Sequence, residues 1–137
     1  MKNIFIILGL IVSLLLGGCT SNTEPILKGT YQSDIQGSEY VVQMSFQPED
    51  NSYVEYIENR EVDKGTYEKE NDVYIINSEN QQNFQIRLGK EDTFEIIDRI
   101  NNGEPIKLIK INDTPIYIST EFNDVENYKA LLNKKRK

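Results

Sequence analysis

A period of two is the feature that most restricts what this chain can fold into. From Gly29 to about Ser119, short runs of β-branched and aromatic residues alternate with polar ones, and clusters of turn-forming residues interrupt them. A strand turns successive side chains to opposite faces, so alternation of this kind marks half-buried strands. The first run lies at 30–32. The second spans 39–47, with Tyr40, Val42, Met44 and Phe46 on one face. The turn Glu49-Asp50-Asn51 leads into a third run at 52–58, where Val54 and Tyr56 alternate against Tyr53 and Ile57. Runs four and five, at 65–69 and 73–77, flank Glu70-Asn71-Asp72.

The pattern continues in the second half. Phe84, Ile86 and Leu88 alternate with Gln85 and Arg87 in a sixth run, and Glu91-Asp92 turns the chain into a seventh at 93–98 with Phe94 and Ile96 inward. Asn101-Asn102-Gly103 predicts a tight hairpin, because Asn-Gly accepts the positive φ of a type I′ turn. The eighth run, 105–111, shifts its apolar phase between Leu108 and Ile109, which predicts a bulge or burial on both faces. A short ninth run at 116–119 follows Pro115. The period then changes: Phe122, Val125, Tyr128 and Leu132 fall at helical spacing, with Asn123 as a candidate N-cap.

Eight or nine sequential strands joined by tight turns predict an up-and-down meander, and an open meander would leave two exposed edges. The expected fold is therefore all-β: a small antiparallel up-and-down β-barrel of about eight strands with one C-terminal α-helix, a β-sandwich being the alternative. Lys28-Gly29-Thr30-Tyr31 recurs as Lys64-Gly65-Thr66-Tyr67. Either the echo is chance, or each glycine lets a strand bend or another backbone approach, with the tyrosine two positions on sharing its face.

The N-terminus carries a different signal. Lys2 precedes an apolar run from Ile4 to Leu16, too short for a transmembrane helix of about 20 residues and of the length of a signal-peptide core. It ends in Leu16-Gly17-Gly18-Cys19, which resembles the lipobox of bacterial lipoproteins. That resemblance implies removal of residues 1–18 as a signal peptide and lipidation of Cys19. The mature protein would be anchored on the extracytoplasmic face of the cell membrane. Residues 19–27 would then form the lipidated cysteine and a short tether, and 28–137 the domain. Eight tether residues reach at most about 28 Å.

Composition excludes several function classes. Removing residues 1–18 would leave 119 residues with a net charge of −8, against −7 for the whole chain, and no basic stripe, so nucleic acid is not an expected partner. Cys19 is the only cysteine, so the core must hold without a disulfide. The chain has no histidine. Ser-His and Cys-His nucleophile systems are therefore out of reach, and zinc, copper and haem lose their usual ligands. No catalytic residue, cofactor or metal is expected.

Gly29-x-Tyr31 on the first strand, the eight-strand meander and the late helix resemble the calycin group, and within it the small lipocalin-like lipoproteins of bacteria. Tyrosine stands where lipocalins have Gly-x-Trp. No arginine near the last strand can be assigned, so no ligand residue is carried over. The related copper-resistance lipoproteins have a Cys-x-x-Cys that is missing here, which argues against a metal-stress role. Two non-catalytic functions follow. The first is a barrel holding a small apolar or amphipathic ligand, lined by Tyr40, Val42, Met44, Phe46, Phe84, Ile86, Phe94 and Ile96; on a chain this short the same residues read more readily as core. The second is a filled barrel that works as a protein-interaction lipoprotein: an inhibitor, an immunity or exclusion factor, or an accessory subunit of an envelope complex. Its acidic surface would meet a basic partner, with Tyr53, Tyr56 and Tyr74 as an exposed hot-spot patch.

Overall fold

The computed structural model describes residues 26–33, 39–101 and 103–134. The leader, Cys19, most of the tether, Asn102 and the basic residues 135–137 lie outside them. Eight antiparallel strands follow one another around a closed barrel: β1 Gly29–Ser33, β2 Val42–Gln47, β3 Ser52–Ile57, β4 Arg60–Glu70, β5 Val73–Ser78, β6 Phe84–Leu88, β7 Thr93–Asn101 and β8 Glu104–Asn112. Each strand pairs with its predecessor, and β1 pairs with β8 to close the ring. The expected meander barrel is the observed architecture. A short C-terminal helix follows in two turns, α1 Val125–Lys129 and α2 Leu131–Lys134.

The turns have the backbone that right-twisted hairpins demand. Glu58 and Asn59, between β3 and β4, both hold positive φ, as do Glu91 and Asp92 between β6 and β7. This β3–β4 turn sits earlier than the sequence pattern indicated. β4 starts at Arg60, five residues before the predicted run, because its first half carries charged residues in place of clean alternation. Residues 116–119 form no strand, and Asp124 rather than Asn123 occupies the N-cap position. No bulge falls between Leu108 and Ile109, which keep consecutive partners on both neighbouring strands; the register shift lies further on, where Thr30 pairs with Asn112 but Tyr31 with Lys110 and Ile111 is the extra residue. Burial on both faces does not occur, for Ile109 and Ile111 are 45% and 49% exposed.

The echoed glycines have a physical cause. Gly29 has φ +90°, and a Cβ there would overlap the carbonyl oxygen of Asn112 at the closure seam. A Cβ at Gly65 would overlap the carbonyl oxygen of Asn77 and crowd the Tyr53 ring. Tyr31 and Tyr67, two residues on, are buried in the core.

Aromatic rings occupy the barrel. Phe46 meets Tyr31 at 5.8 Å, Tyr67 at 5.5 Å and Phe94 at 5.7 Å edge-on, and stacks on Tyr53 at 6.2 Å. Such pairs contribute roughly 0.5–1.5 kcal/mol each beyond their burial. At the end where β1 enters, Leu27 is wholly buried. Its N–H donates to the Tyr74 hydroxyl and its carbonyl accepts from Tyr67. Leu27 therefore belongs to the barrel and not to the tether. At the opposite end Leu132 of α2 is buried against the core.

The segment after β8 crosses the outside of the barrel. Thr30 donates to the Thr114 carbonyl and accepts from the Ile116 N–H; Ser45 donates to the Ile116 carbonyl; the Ile118 N–H donates to the Tyr56 hydroxyl. Further on, Arg60 makes two hydrogen bonds to Asp124, at 2.9 and 3.0 Å. These bonds hold the Asp124 carboxyl below its ordinary pKa.

Two outcomes test this account. Gly65→Ala should lower stability by at least about 2 kcal/mol in urea denaturation, while Thr66→Ala, exposed on the same strand, should change it by less than about 0.5 kcal/mol. Because the Asp124 pKa is depressed on folding, its contribution is complete above the usual aspartate range, about pH 4, and is lost as pH falls through the lower folded value. Carbon-13 NMR should put the Asp124 midpoint below that of an unfolded peptide, and Arg60→Gln should move it back up.

Candidate functional site

One polar cluster interrupts the apolar interior, and it builds the wall of a surface cleft. Strand parity places Glu55 between Tyr53 and Ile57 on the inner face of β3, opposite Met44. Its side chain is completely buried. Arg99 reaches it because β7 carries a wide bulge: Ile96 pairs with Ile106, but the next paired residue, Ile100, meets Pro105. The extra residues between them flip the phase and turn Arg99 inward, although plain alternation would keep it out.

The guanidinium grips Glu55 through Nη1–Oε2 at 2.7 Å and Nη2–Oε1 at 2.8 Å, donates to the Gln81 side-chain carbonyl at 3.0 Å, and lies 4.7 Å from the centre of the Phe84 ring. Burial would pull the Arg99 pKa down. The charge and hydrogen bonds of Glu55, with Asp63 beyond, outweigh it and raise the pKa, so Arg99 stays charged.

Asp63 is the second anchor. It accepts from the Tyr53 hydroxyl at 2.8 Å, the Ser78 hydroxyl at 2.7 and 2.8 Å, the Gln81 amide at 2.6 Å, and the backbone N–H groups of Lys64 and Asn80. The β5–β6 loop, residues 79–83, is thereby tied to β4. Burial, reinforced by the Asp63 carboxylate, pushes the Tyr53 hydroxyl far above its ordinary pKa and keeps it a donor. Both buried carboxylates are saturated with donors. Among the described residues, no buried side-chain nitrogen or oxygen lacks a partner. The bonds to these two carboxylates tie β3, β4, β5, β7 and the 79–83 loop together, so the cluster holds shape.

The shape it holds is a cleft of about 500 Å³ lined by Ile75, Gln81, Gln82, Asn83, Phe84, Gln85, Asp98 and Arg99. The cleft exists because β6 pairs with β7 only from Ile86 to Leu88. Upstream the strands part, and Asp98 accepts the Gln85 N–H in place of a ladder bond. Side-chain amides and one carboxylate dominate the lining. The cleft lies at the end of the barrel opposite Leu27, where the N-terminal segment enters.

Of the residues predicted to line a ligand cavity, Val42, Met44, Phe46, Phe84, Ile86, Phe94 and Ile96 are buried in one mutually packed core. Tyr40 is different: it precedes β2 and meets Tyr128 edge-on at 6.4 Å at the rim. The tyrosine patch is a correction. Tyr53, Tyr56 and Tyr74 are 1%, 2% and 6% exposed, so they form no surface hot spot. Tyr53 and Tyr74 face the interior, and Tyr56 lies under the C-terminal segment. Sequence reasoning missed Glu55, Asp63, Gln81 and Arg99. The legible signal was Glu55, an acid sharing parity with Tyr53 and Ile57.

Among the described residues no group of three or more His, Cys, Asp or Glu is placed to hold a metal ion, and no helix is long and apolar enough to cross a membrane. No family model, curated protein or solved structure matches this chain.

Breaking the buried ion pair on one side should be far costlier than replacing it whole. Arg99→Met is expected to cost about 3 kcal/mol or more in urea denaturation by stranding Glu55, and the double variant Glu55→Leu/Arg99→Met to recover most of that loss. Simple addition of the two single losses would show that the pair is not coupled.

Proposed function

We propose that this chain is an extracytoplasmic lipoprotein, anchored through lipid on Cys19, whose barrel is a filled scaffold for a protein-interaction surface. The observation that carries the reading is the interior: rings from β1, β2, β3, β4 and β7 pack on one another, and Leu27 and Leu132 close the two ends. A small apolar ligand would need that volume. A pre-formed cleft outside the barrel needs none of it.

Two further features support the reading. Ile26 and Leu27 lie at one end of the barrel, so a tether running back to Cys19 would leave the cleft at the end away from the bilayer. The cleft offers amide donors and acceptors with Asp98 at its edge, on a chain of net charge −7. A basic protein segment able to hydrogen-bond to these amides fits that chemistry. A calycin-type lineage is supported by Gly29-x-Tyr31 at the start of β1 and by the closed eight-strand meander.

Native mass spectrometry of residues 20–137, purified from the native host without detergent, should give the bare chain mass. A stoichiometric adduct releasing a small apolar molecule would overturn the filled-scaffold reading. In the same host, a photo-crosslinker at Gln82 should capture one protein, the capture should fall with Asp98→Lys, and a crosslinker at Glu68 on β4 should not capture it. Equal capture at both positions would remove the cleft from the proposal.

A further inference from the structure

Among the described residues the C-terminal segment is the longest part outside the sheet, and its attachment differs in kind from that of the strands. Barrel closure does not use it, because β1 pairs with β8 directly. Its helical turns have five and four residues. Isolated helices shorter than about 12–15 residues are marginal in water, so these owe their order to what they touch. α1 buries none of its residues, and the Asp124 side chain makes no cap hydrogen bond because it binds Arg60.

Two contacts hold the end of the segment. The Arg60 guanidinium lies between the rings of Phe122, 4.1 Å away, and Tyr128, 4.6 Å away, while gripping Asp124 and donating to the Glu58 carbonyl. Leu132 is buried at the barrel mouth, where Val42, Ile57 and Ile106 surround a space of about 10 Å³ beneath Leu131 and Leu132. Arg99 lies on that same wall, so the mouth beneath Leu132 and the outer cleft share one residue.

We propose that residues 121–134 are a latch, with Arg60 as its catch and Leu132 as its plug. It opens as a unit while the barrel stays closed, and it uncovers a mouth that accepts an uncharged aliphatic or aromatic group in place of the leucine. Leu132 shows the chemistry the mouth takes. The catch keeps 21% of the Arg60 side chain and 33% of the Asp124 side chain in contact with solvent, so a competing charged or hydrogen-bonding group can reach it. The latch does not depend on the partner proposed for the cleft.

Amide hydrogen exchange on the intact domain, read by mass spectrometry, tests the latch. Arg60→Gln and Leu132→Asn should each speed exchange at 125–134 by at least about tenfold, with the rates of β1 to β8 unchanged. The uncharged fluorescent probe N-phenyl-1-naphthylamine should bind both variants saturably and the native chain weakly. Exchange at 125–134 that stays at the native rate, or that rises only together with the strands, would overturn the latch. A latch that opens without probe binding would overturn the mouth as a site.

Discussion

Pairing between β1 and β8 is the interaction on which the rest of the structure depends. Eight short strands cannot stand as an open sheet without two rows of unpaired backbone groups, and closure satisfies both rows at once. The seam is tight: Gly29 takes a positive φ against the Asn112 carbonyl, and the bulge at Ile111 lets Tyr31 and Lys110 meet on the inside. Closure also replaces other staples. With one cysteine in the chain and that one in the N-terminal segment, the domain rests on backbone pairing and a core of aromatic rings.

A closed barrel this small has an interior about as wide as its side chains, so filling and binding compete for one volume. Here the rings fill it. The buried charged residues that would weaken such a core are instead collected into one fully paired cluster. Glu55 and Arg99 neutralise each other, and Asp63 receives donors from three strands and a loop. A buried ion pair adds little net stability. Its effect here is geometric: it turns the β7 bulge inward, ties down residues 79–83 and sets the walls of the cleft. The inside of the barrel is thereby given to packing, while the cleft lies at its rim and the C-terminal segment covers its mouth.

Parity explains which parts of this arrangement could be read in advance. Where a strand alternates without interruption, as in β2, β6 and the first half of β7, the inward residues Met44, Phe46, Ile86 and Phe94 were legible. Where a bulge resets the phase, parity points the wrong way. Arg99 turns in after the β7 bulge, and Val62 and Asp63, adjacent in β4, are both buried beside the β3–β4 register shift. The tyrosines misled for a related reason. A tyrosine hydroxyl suits water, but Asp63, Leu27 and Ile118 supply partners for Tyr53, Tyr67, Tyr74 and Tyr56 that no local pattern encodes.

The sequence by itself determined the class of fold, a count of eight or nine strands and the late change to a helical period. All of these follow from local rules: alternation and turn chemistry. Tertiary structure alone decided that the barrel is filled, that Leu27 and Leu132 close its ends, and that Glu55 finds Arg99 forty-four residues away. It also decided that Arg60 holds the chain end through Asp124, Phe122 and Tyr128. Those outcomes turn on register and on long-range partners, and a register is fixed only when every strand has found its neighbour.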